Sequence, residues 1–298
     1  MQTVPLTPSQ STKAWTVLSL IEWSAQHLGS KGFDEARLHV ELLLAKVLGY
    51  SRIQIYTNFD KPLDQSELAE FKTLLQRRMS HEPLQYIIGE TEFMGLPLFV
   101  NPSVLIPRPE TEQLVEKVLE AIRSVDSDGL EILDIGTGSG NIPVALSKFA
   151  PNVFVTSIDV SDEALQTAAV NVTRNKADRI TLMKADVFSD FLPGKQFDLI
   201  VSNPPYISVE EFSLLQPEIK DFEPRIATTD DADGYRFVRR ISQFSSRRLN
   251  YGGLMLMEIA YNQAREAQKI VAQAGLHGIQ IFQDHSGNPR ILMARRDR

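Results

Sequence analysis

Asn203-Pro204-Pro205-Tyr206 closes the apolar run Phe197-Asp198-Leu199-Ile200-Val201-Ser202 and holds the residue types best suited to chemistry in this chain. The run reads as a buried strand entering a stiff turn. Consecutive prolines fix φ and supply no N–H, and Pro205 drives Pro204 toward an extended conformation. The Pro204 carbonyl can then be held outward as a hydrogen-bond acceptor. Asn203 adds a side-chain oxygen and Tyr206 an aromatic face. Together they can grip a planar –NH2 group through both hydrogens, as methylation of a weakly nucleophilic nitrogen would require. The same residues also suit a turn that simply ends a strand, since Asn-Pro commonly starts turns.

A second unusual stretch, Asp134-Ile135-Gly136-Thr137-Gly138-Ser139-Gly140-Asn141-Ile142, follows another apolar strand and opens a helix. In an open α/β sheet, ligands sit beyond the strand carboxyl ends, near the switch point. The spacing is Gly-x-Gly-x-Gly, which is neither the dinucleotide fingerprint nor a Walker loop. The next strand ends in Ser157-Ile158-Asp159, where a carboxylate can accept both hydroxyls of a ribose. Asp159 or Ser161 could instead cap the following helix; Ser161 suits the cap, which leaves Asp159 for a ligand. After the third strand, Asp186 can bond the exocyclic amine of a purine while Val187 or Phe188 covers its face, unless Asp186 is an ordinary loop carboxylate. Gly136, Thr137, Gly138, Ser139 and Gly140 as a floor, a ribose carboxylate and an adenine carboxylate, with no phosphate cradle, are the parts that S-adenosylmethionine requires.

These stretches need a scaffold. Residues 1–85 read as a small helical bundle. Ser11 or Thr12 could cap a first helix bearing Trp15, Leu18, Ile21, Ala25 and Leu28, ended by Gly29 and Gly32. Asp34 could cap a second, closed by Gly49, and Asp64 with Glu67 forms a capping box for a further helix. The Leu, Phe and Trp stripes are most simply core. Residues 86–106 read as a β-hairpin connector built from Tyr86-Ile87-Ile88, Thr91-Glu92-Phe93 and Leu98-Phe99-Val100. Pro109 then opens a helix through Leu114, Val118, Leu119 and Ile122. Within 107–298, strands Glu131–Ile135, Val153–Asp159, Ile180–Lys184, Phe197–Ser202 and Gly253–Ile259 alternate with helices Ser161–Asn175, Asp233–Leu249 and Asn262–Ala274. That alternation predicts an α/β fold, a mostly parallel sheet with helices on both faces. Ile279–Gln283 and Arg290–Ala294 predict an antiparallel edge hairpin.

Composition sets bounds. The 298 residues are 43% hydrophobic and 23% charged, as in ordinary globular proteins. No cysteine is present, which removes disulfides, thiolate metal sites and cysteine nucleophiles, including those used for C5 methylation of pyrimidines. Five scattered histidines without a His-x-x-x-His pair argue against zinc. No apolar run is long enough to span a bilayer, and Met1-Gln2-Thr3-Val4-Pro5 lacks the pattern of a secretory signal, so the cytoplasm is the default location. The net charge of −7 argues against an extensive nucleic-acid groove. The pairs Arg77-Arg78, Arg239-Arg240 and Arg247-Arg248 read as solvated helix faces.

The glycine loop and acidic partners resemble class I methyltransferases. With Pro83-Leu84-Gln85-Tyr86-Ile87-Ile88-Gly89, Leu105-Ile106-Pro107-Arg108-Pro109-Glu110-Thr111-Glu112, Val201 to Ile207 and Phe222-Glu223-Pro224, the chain resembles the PrmC (HemK) family over about residues 33 to 295. That resemblance implies an N5-glutamine methyltransferase acting on the Gly-Gly-Gln glutamine of class-1 peptide chain release factors, without stable nucleic-acid binding. It implies that Gly136 to Gly140, Asp159, Val187 and Asn203 contact the cofactor or its surroundings, that Asn203 to Tyr206 hold the substrate glutamine, and that the helical bundle docks the release factor. Arg108 and Glu110 either order the active-site rim or are structural. Ala227-Thr228-Thr229-Asp230-Asp231 departs from the family's Ala-Leu followed by glycines, and Val187 replaces a Trp of some members; neither is expected to touch the chemistry. The rivals are an N6-adenine methyltransferase acting on DNA or RNA and a non-catalytic cofactor-binding module.

Overall fold

The computed structural model describes residues 14–124, 129–189, 192 and 194–297. The chain divides into two compact units, Met1–Gly89 and Glu90–Arg298.

The first unit is helical: α1 (Val17–Gly29), α2 (Ala36–Leu48), α3 (Arg52–Thr57), α4 (Gln65–Met79) and α5 (Leu84–Ile88). Their apolar faces meet in a core of Leu20, Ile21, Val40, Leu43, Leu44, Phe71 and Leu75. Buried Glu41 on α2 binds Arg37, Arg52 and Tyr56, which clips α3 to α2. The Asp64–Glu67 capping box and the Gly49 stop are present as expected. Other ends differ. Thr16 caps α1 through a capping box with Ser19, whereas Ser11 and Thr12 lie outside the described residues. α2 starts after Glu35 in a left-handed conformation with no side-chain cap, so Asp34 does not cap it. Tyr86-Ile87-Ile88 is helical rather than β-like. A short run of Tyr and Ile has no decisive period; Pro83 starts the turn, Gly89 closes it, and Leu84 and Ile87 are held in the helical core. Arg78 is also not solvated. It is buried against Phe33 and donates to the Glu82 carbonyl.

The second unit begins with a hairpin, β1 (Glu90–Phe93) and β2 (Leu96–Phe99), followed by α6 (Pro109–Arg123). Then come β3 (Glu131–Ile135), α7 (Asn141–Phe149), β4 (Phe154–Asp159), α8 (Asp162–Arg174), β5 (Ile180–Lys184) and β6 (Phe197–Ser202). Three single-turn helices follow, α9 (Val209–Phe212), α10 (Pro217–Lys220) and α11 (Arg225–Thr228). The unit ends with α12 (Arg236–Arg248), β7 (Leu249–Glu258), α13 (Ala264–Gln273), β8 (His277–Gln283) and β9 (Pro289–Arg295).

Among the described residues, seven strands form one sheet in the order β5-β4-β3-β6-β7-β9-β8. β5 to β7 run parallel, while β9 is antiparallel to both β7 and β8, as the sequence predicts. Alternation along each strand sends successive residues to opposite faces. Ile132, Val201, Leu254 and Leu256 meet α6 and α7 on one face; Leu133, Ile200, Met255 and Met257 meet α12 and α13 on the other. No helix among the described residues is long and apolar enough to cross a membrane.

The β1–β2 hairpin is fastened to α8 by asparagines. Asn171 accepts from the Phe99 N–H at 2.6 Å and donates to Phe99 O at 2.9 Å and Ser139 O at 2.8 Å. Asn175 donates to Pro97 O. One fully buried side chain thus ties the hairpin to the glycine loop. Asn171→Ala leaves one buried and two half-buried backbone groups without this partner, so it should destabilise the protein by roughly 2–4 kcal/mol, read as a lowered urea midpoint with an unchanged slope.

Candidate active site

The chain order reverses between β3 and β6: β4 and β5 build outward from β3, and β6 returns to its other side. Ile135 pairs with Ser202 across this junction, and Ser202 Oγ donates to Ile135 O at 2.7 Å. The residues that follow, Gly136 and Asn203, therefore leave the sheet side by side, at the switch point where such sheets bind ligands.

Beyond these strand ends lies a cavity of about 340 Å³, within the range of small-molecule sites. Of the residues singled out from sequence, Gly136, Thr137, Gly138, Ser139, Asp159, Asp186, Val187, Asn203 and Pro205 line it; Gly140, Pro204 and Tyr206 do not. Gly140 has another task. Its φ is +78°, and a Cβ there would come within 3.1–3.2 Å of Ala168, so the close approach of α7 to α8 requires glycine.

Ser161 caps α8 by accepting from Ala164 N–H. Asp159 does more than await a ligand: it accepts from Gly138 N–H at 2.9 Å and Ser161 N–H at 3.0 Å, so it also fixes the glycine loop. Burial raises its pKa, against the opposing effect of those bonds. Asp186 is exposed and accepts from Phe188 N–H. Arg240, expected on a solvated face, donates to the carbonyls of Val187 and Ser189 and shapes the loop that carries Val187.

The turn after β6 is held from behind. Asn203 Nδ2 donates to Thr111 Oγ1 at 2.9 Å, and Thr111 Oγ1 donates to Glu258 Oε2 at 2.7 Å. The Tyr206 hydroxyl donates to Glu258 Oε1 at 3.2 Å. Gln263 Nε2 donates to the carbonyls of Tyr206 and Gly234, and a Cβ at Gly234 would meet both Gln263 Nε2 and Tyr206 O below 3.0 Å. Glu258 is 1% exposed; burial pushes its pKa up to about 7, opposed by Thr111, Arg290 and Tyr206. Burial and the Glu258 charge raise Tyr206 as well.

Sequence reasoning missed Thr111, Glu258 and Gln263. Signals existed for the first two. Thr111 is the one polar member of the buried α6 stripe Thr111, Leu114, Val115, Val118, Leu119. Glu258 ends the otherwise apolar series Leu254, Leu256 on the same sheet face. The rim was also under-read. Ala227, Thr229, Asp230 and Asp231 line the cavity, because Ile207 pairs with Thr229 and brings that segment beside the turn. The departing segment is thus part of the cavity wall. Cavity-lining Arg108 pairs with buried Glu223 at 2.6 Å, which anchors the Phe222-Glu223-Pro224 segment to the start of α6. Glu110 reaches the site as a like charge on Glu258.

Asp134, at the end of β3, is fully buried, and desolvation raises its carboxyl to about 7. A carboxyl raised above its unfolded value of 3.8 contributes stability fully present below that value and lost as pH rises through about 7. Asp134→Asn removes this loss. It should raise the unfolding free energy relative to wild type by roughly 1–3 kcal/mol more at pH 8 than at pH 5, checked by urea unfolding at both values.

Comparison with known proteins agrees with this architecture. Residues 19–89 match the family model described as the PrmC N-terminal domain, and residues 111–217 match the methyltransferase small domain. The release factor glutamine methyltransferase of Geobacter sulfurreducens is 40% identical over 287 residues, covering 96% of this chain and 99% of that protein. The protein of the same name from Rhodopirellula baltica is 39% identical, covering 93% and 95%. Among solved structures, a methyltransferase from Pyrococcus furiosus shares the fold, with a TM-score of 0.50 at 19% identity over 69% of this chain and 91% of that one. With near-complete overlap at 39–40% identity, the chain belongs to the release factor glutamine methyltransferase family.

Proposed function

We propose that this cavity transfers a methyl group from S-adenosylmethionine to the side-chain amide nitrogen (N5) of the glutamine in the Gly-Gly-Gln motif of class-1 peptide chain release factors. The observation that carries the reading is the placement of Asn203. It lies beside the glycine loop at the switch point, with its Nδ2 engaged by Thr111 and its carboxamide in the cavity wall. The oxygen is then the end of that carboxamide available to a guest.

The cavity lining suits the cofactor. Asp159, Asp186, Asp230 and Asp231 line it, with Arg108 and Arg236 as the cations among the described residues, a balance that suits a cationic sulfonium nucleoside better than a phosphorylated nucleotide. Gly136 to Gly140 and Asp159 would hold the ribose and amino-acid portions, and Asp186 and Val187 the adenine. When bound, S-adenosylmethionine supplies a methyl group already activated by the sulfonium charge.

The protein's task is the nucleophile, since an amide nitrogen delocalises its lone pair into the carbonyl. Asn203 Oδ1, in the cavity wall, and the Pro204 carbonyl, at the edge of the lined space, are assigned the two amide hydrogens, favouring localisation of that pair and aiming it; cavity-lining Pro205 bounds the amide plane, with Tyr206 behind it. Positioning and preset dipoles supply the rate. No strong base is needed beforehand, because the nitrogen becomes acidic once alkylated and its proton passes to solvent. An ionised glutamate would present no hydrogen to two acceptors and is rejected. Residues 1–85 are assigned to docking the release factor, and the cytoplasm, where such factors act, is the expected location. The names of the two relatives do not favour the adenine-methylating alternative.

Incubation with labelled S-adenosylmethionine and a release factor should place one methyl on the Gly-Gly-Gln glutamine and none on a Gln-to-Ala acceptor. Equal label on the Ala acceptor would overturn the assignment. Asn203→Ala should lower turnover by roughly 10²–10³-fold while calorimetry shows near-normal cofactor affinity. Asp159→Ala should weaken cofactor binding by about 1.5–3 kcal/mol, the scale of hydrogen bonds to charged groups.

A further inference from the structure

A carboxamide has two ends of nearly equal shape and opposite hydrogen-bonding character. Asn203 can act on a substrate –NH2 only if its oxygen, and not its own –NH2, faces the cavity. Nothing in the shape of the site decides this; the hydrogen-bond chain behind it does. Thr111 has one proton. Glu258 as a carboxylate has none, so both Glu258 oxygens can only accept. Thr111 must then spend its proton on Glu258 Oε2, and it does so at 2.7 Å. Only an acceptor lone pair is left on Thr111 Oγ1 for Asn203. Asn203 must meet it with Nδ2, as observed at 2.9 Å, and Oδ1 is turned the other way. The second Glu258 oxygen is satisfied by the Tyr206 hydroxyl at 3.2 Å.

A proton on Glu258 removes this constraint. The neutral acid can donate to Thr111, which can then donate to Asn203 Oδ1. The carboxamide is then free to reverse, and on reversal its –NH2 faces the cavity. That group repels another –NH2 and cannot accept its hydrogens.

We propose that ionised Glu258 is the positioning residue of this site, acting through Thr111 as an orientation lock that keeps the Asn203 oxygen toward the acceptor nitrogen, and that protonation of Glu258 opens the lock. The inference rests on the reading of Asn203 as acceptor of the substrate amide hydrogens. Its geometry is independent of that reading: an unbroken chain of three hydrogen bonds through Thr111 and Glu258, each 1% exposed. The surroundings place the switch in a usable range. Burial disfavours the Glu258 charge, Arg290 on β9 favours it, and Glu110 on α6 opposes it; Arg108 and Arg290 also act on Tyr206. Arg290 is shared with Asp284 at 3.4 Å. The balance leaves Glu258 titrating at about 7, so modest changes in pH move it between its two states.

The test uses the full-length chain and two readouts. The first is kcat for methyl transfer to a release factor across pH 5.5 to 8.5. Wild type should rise through a single ionisation near neutrality and stand about tenfold below its plateau one unit beneath that midpoint. Glu258→Gln, a permanently neutral isostere, should lose the rising limb, with unchanged affinity for the cofactor product by calorimetry. Thr111→Val should lose the limb as well, and Thr111→Ser, which keeps the hydroxyl, should restore it. The second readout needs no substrate: the side-chain –NH2 resonance of ¹⁵N-labelled Asn203 should shift with pH at the midpoint of the kinetic limb in wild type and stay fixed in Glu258→Gln. A wild-type-like limb in Glu258→Gln, or an Asn203 resonance indifferent to pH in wild type, overturns the lock. Absence of methyl transfer to the release factor at every pH would instead defeat the functional reading, and the Asn203 resonance would still decide the lock. Should Glu258→Gln fail to fold, the Thr111 pair and the wild-type resonance carry the same decision.

Discussion

The parallel pairing of β3 with β6 is the constraint on which the site depends. Neighbouring strands in a sheet lie about 4.8 Å apart. With Ile135 opposite Ser202, the glycine loop and the Asn-Pro-Pro-Tyr turn have to emerge as neighbours at one end of the sheet. A shift of one residue in that register would turn every side chain of β6 to the other face. Val201 would leave the α6 side and Ile200 the α12 side, so both apolar cores specify the register. The position of the site is thereby set by the packing of the whole sheet rather than by the loops that form it.

The prolines give the turn stiffness but not its aim. Aim comes from a polar layer behind it: Glu258 on β7, Thr111 on α6 and Gln263 ahead of α13. Burying a carboxylate held by hydroxyl donors is costly even with the Arg290 charge acting on it, and a folding sequence usually avoids it. Local conflict of that kind marks sites where a fold gives up stability for function. Thr111 and Glu258 occupy places in two apolar series, on the helix and on the strand, that hydrophobic residues would fill with less strain on the protein's stability.

Charge distribution follows the same logic at lower cost. The cavity lining is acidic, and its arginines are largely committed to the protein. Arg108 is paired with Glu223 and Arg236 stacks over Phe188, while Arg240, outside the lining, holds the carbonyls beside Val187. The segment from Ala227 to Asp231 joins this wall. Asp230 there accepts from the Arg236 N–H at the start of α12, so one carboxylate both shapes the cavity and caps a helix.

The sequence by itself determined the elements whose cause is local. Apolar runs alternating with helical segments marked β3 to β7 and the edge pair β8 and β9, Ser161 and Asp64 marked helix starts, and the glycine loop and Asn203 were legible as strand-end motifs. Where local cues were weak it misled: Tyr86-Ile87-Ile88 is helical because Leu84 and Ile87 are held in the helical core, and α1 is capped by Thr16. Only the tertiary structure decided which end of the Asn203 carboxamide meets Thr111. That choice depends on Thr111 and Glu258, which stand 147 residues apart in the chain. No local pattern connects them; they meet because the strand order carries β7 next to β6 and α6 packs on the face they share.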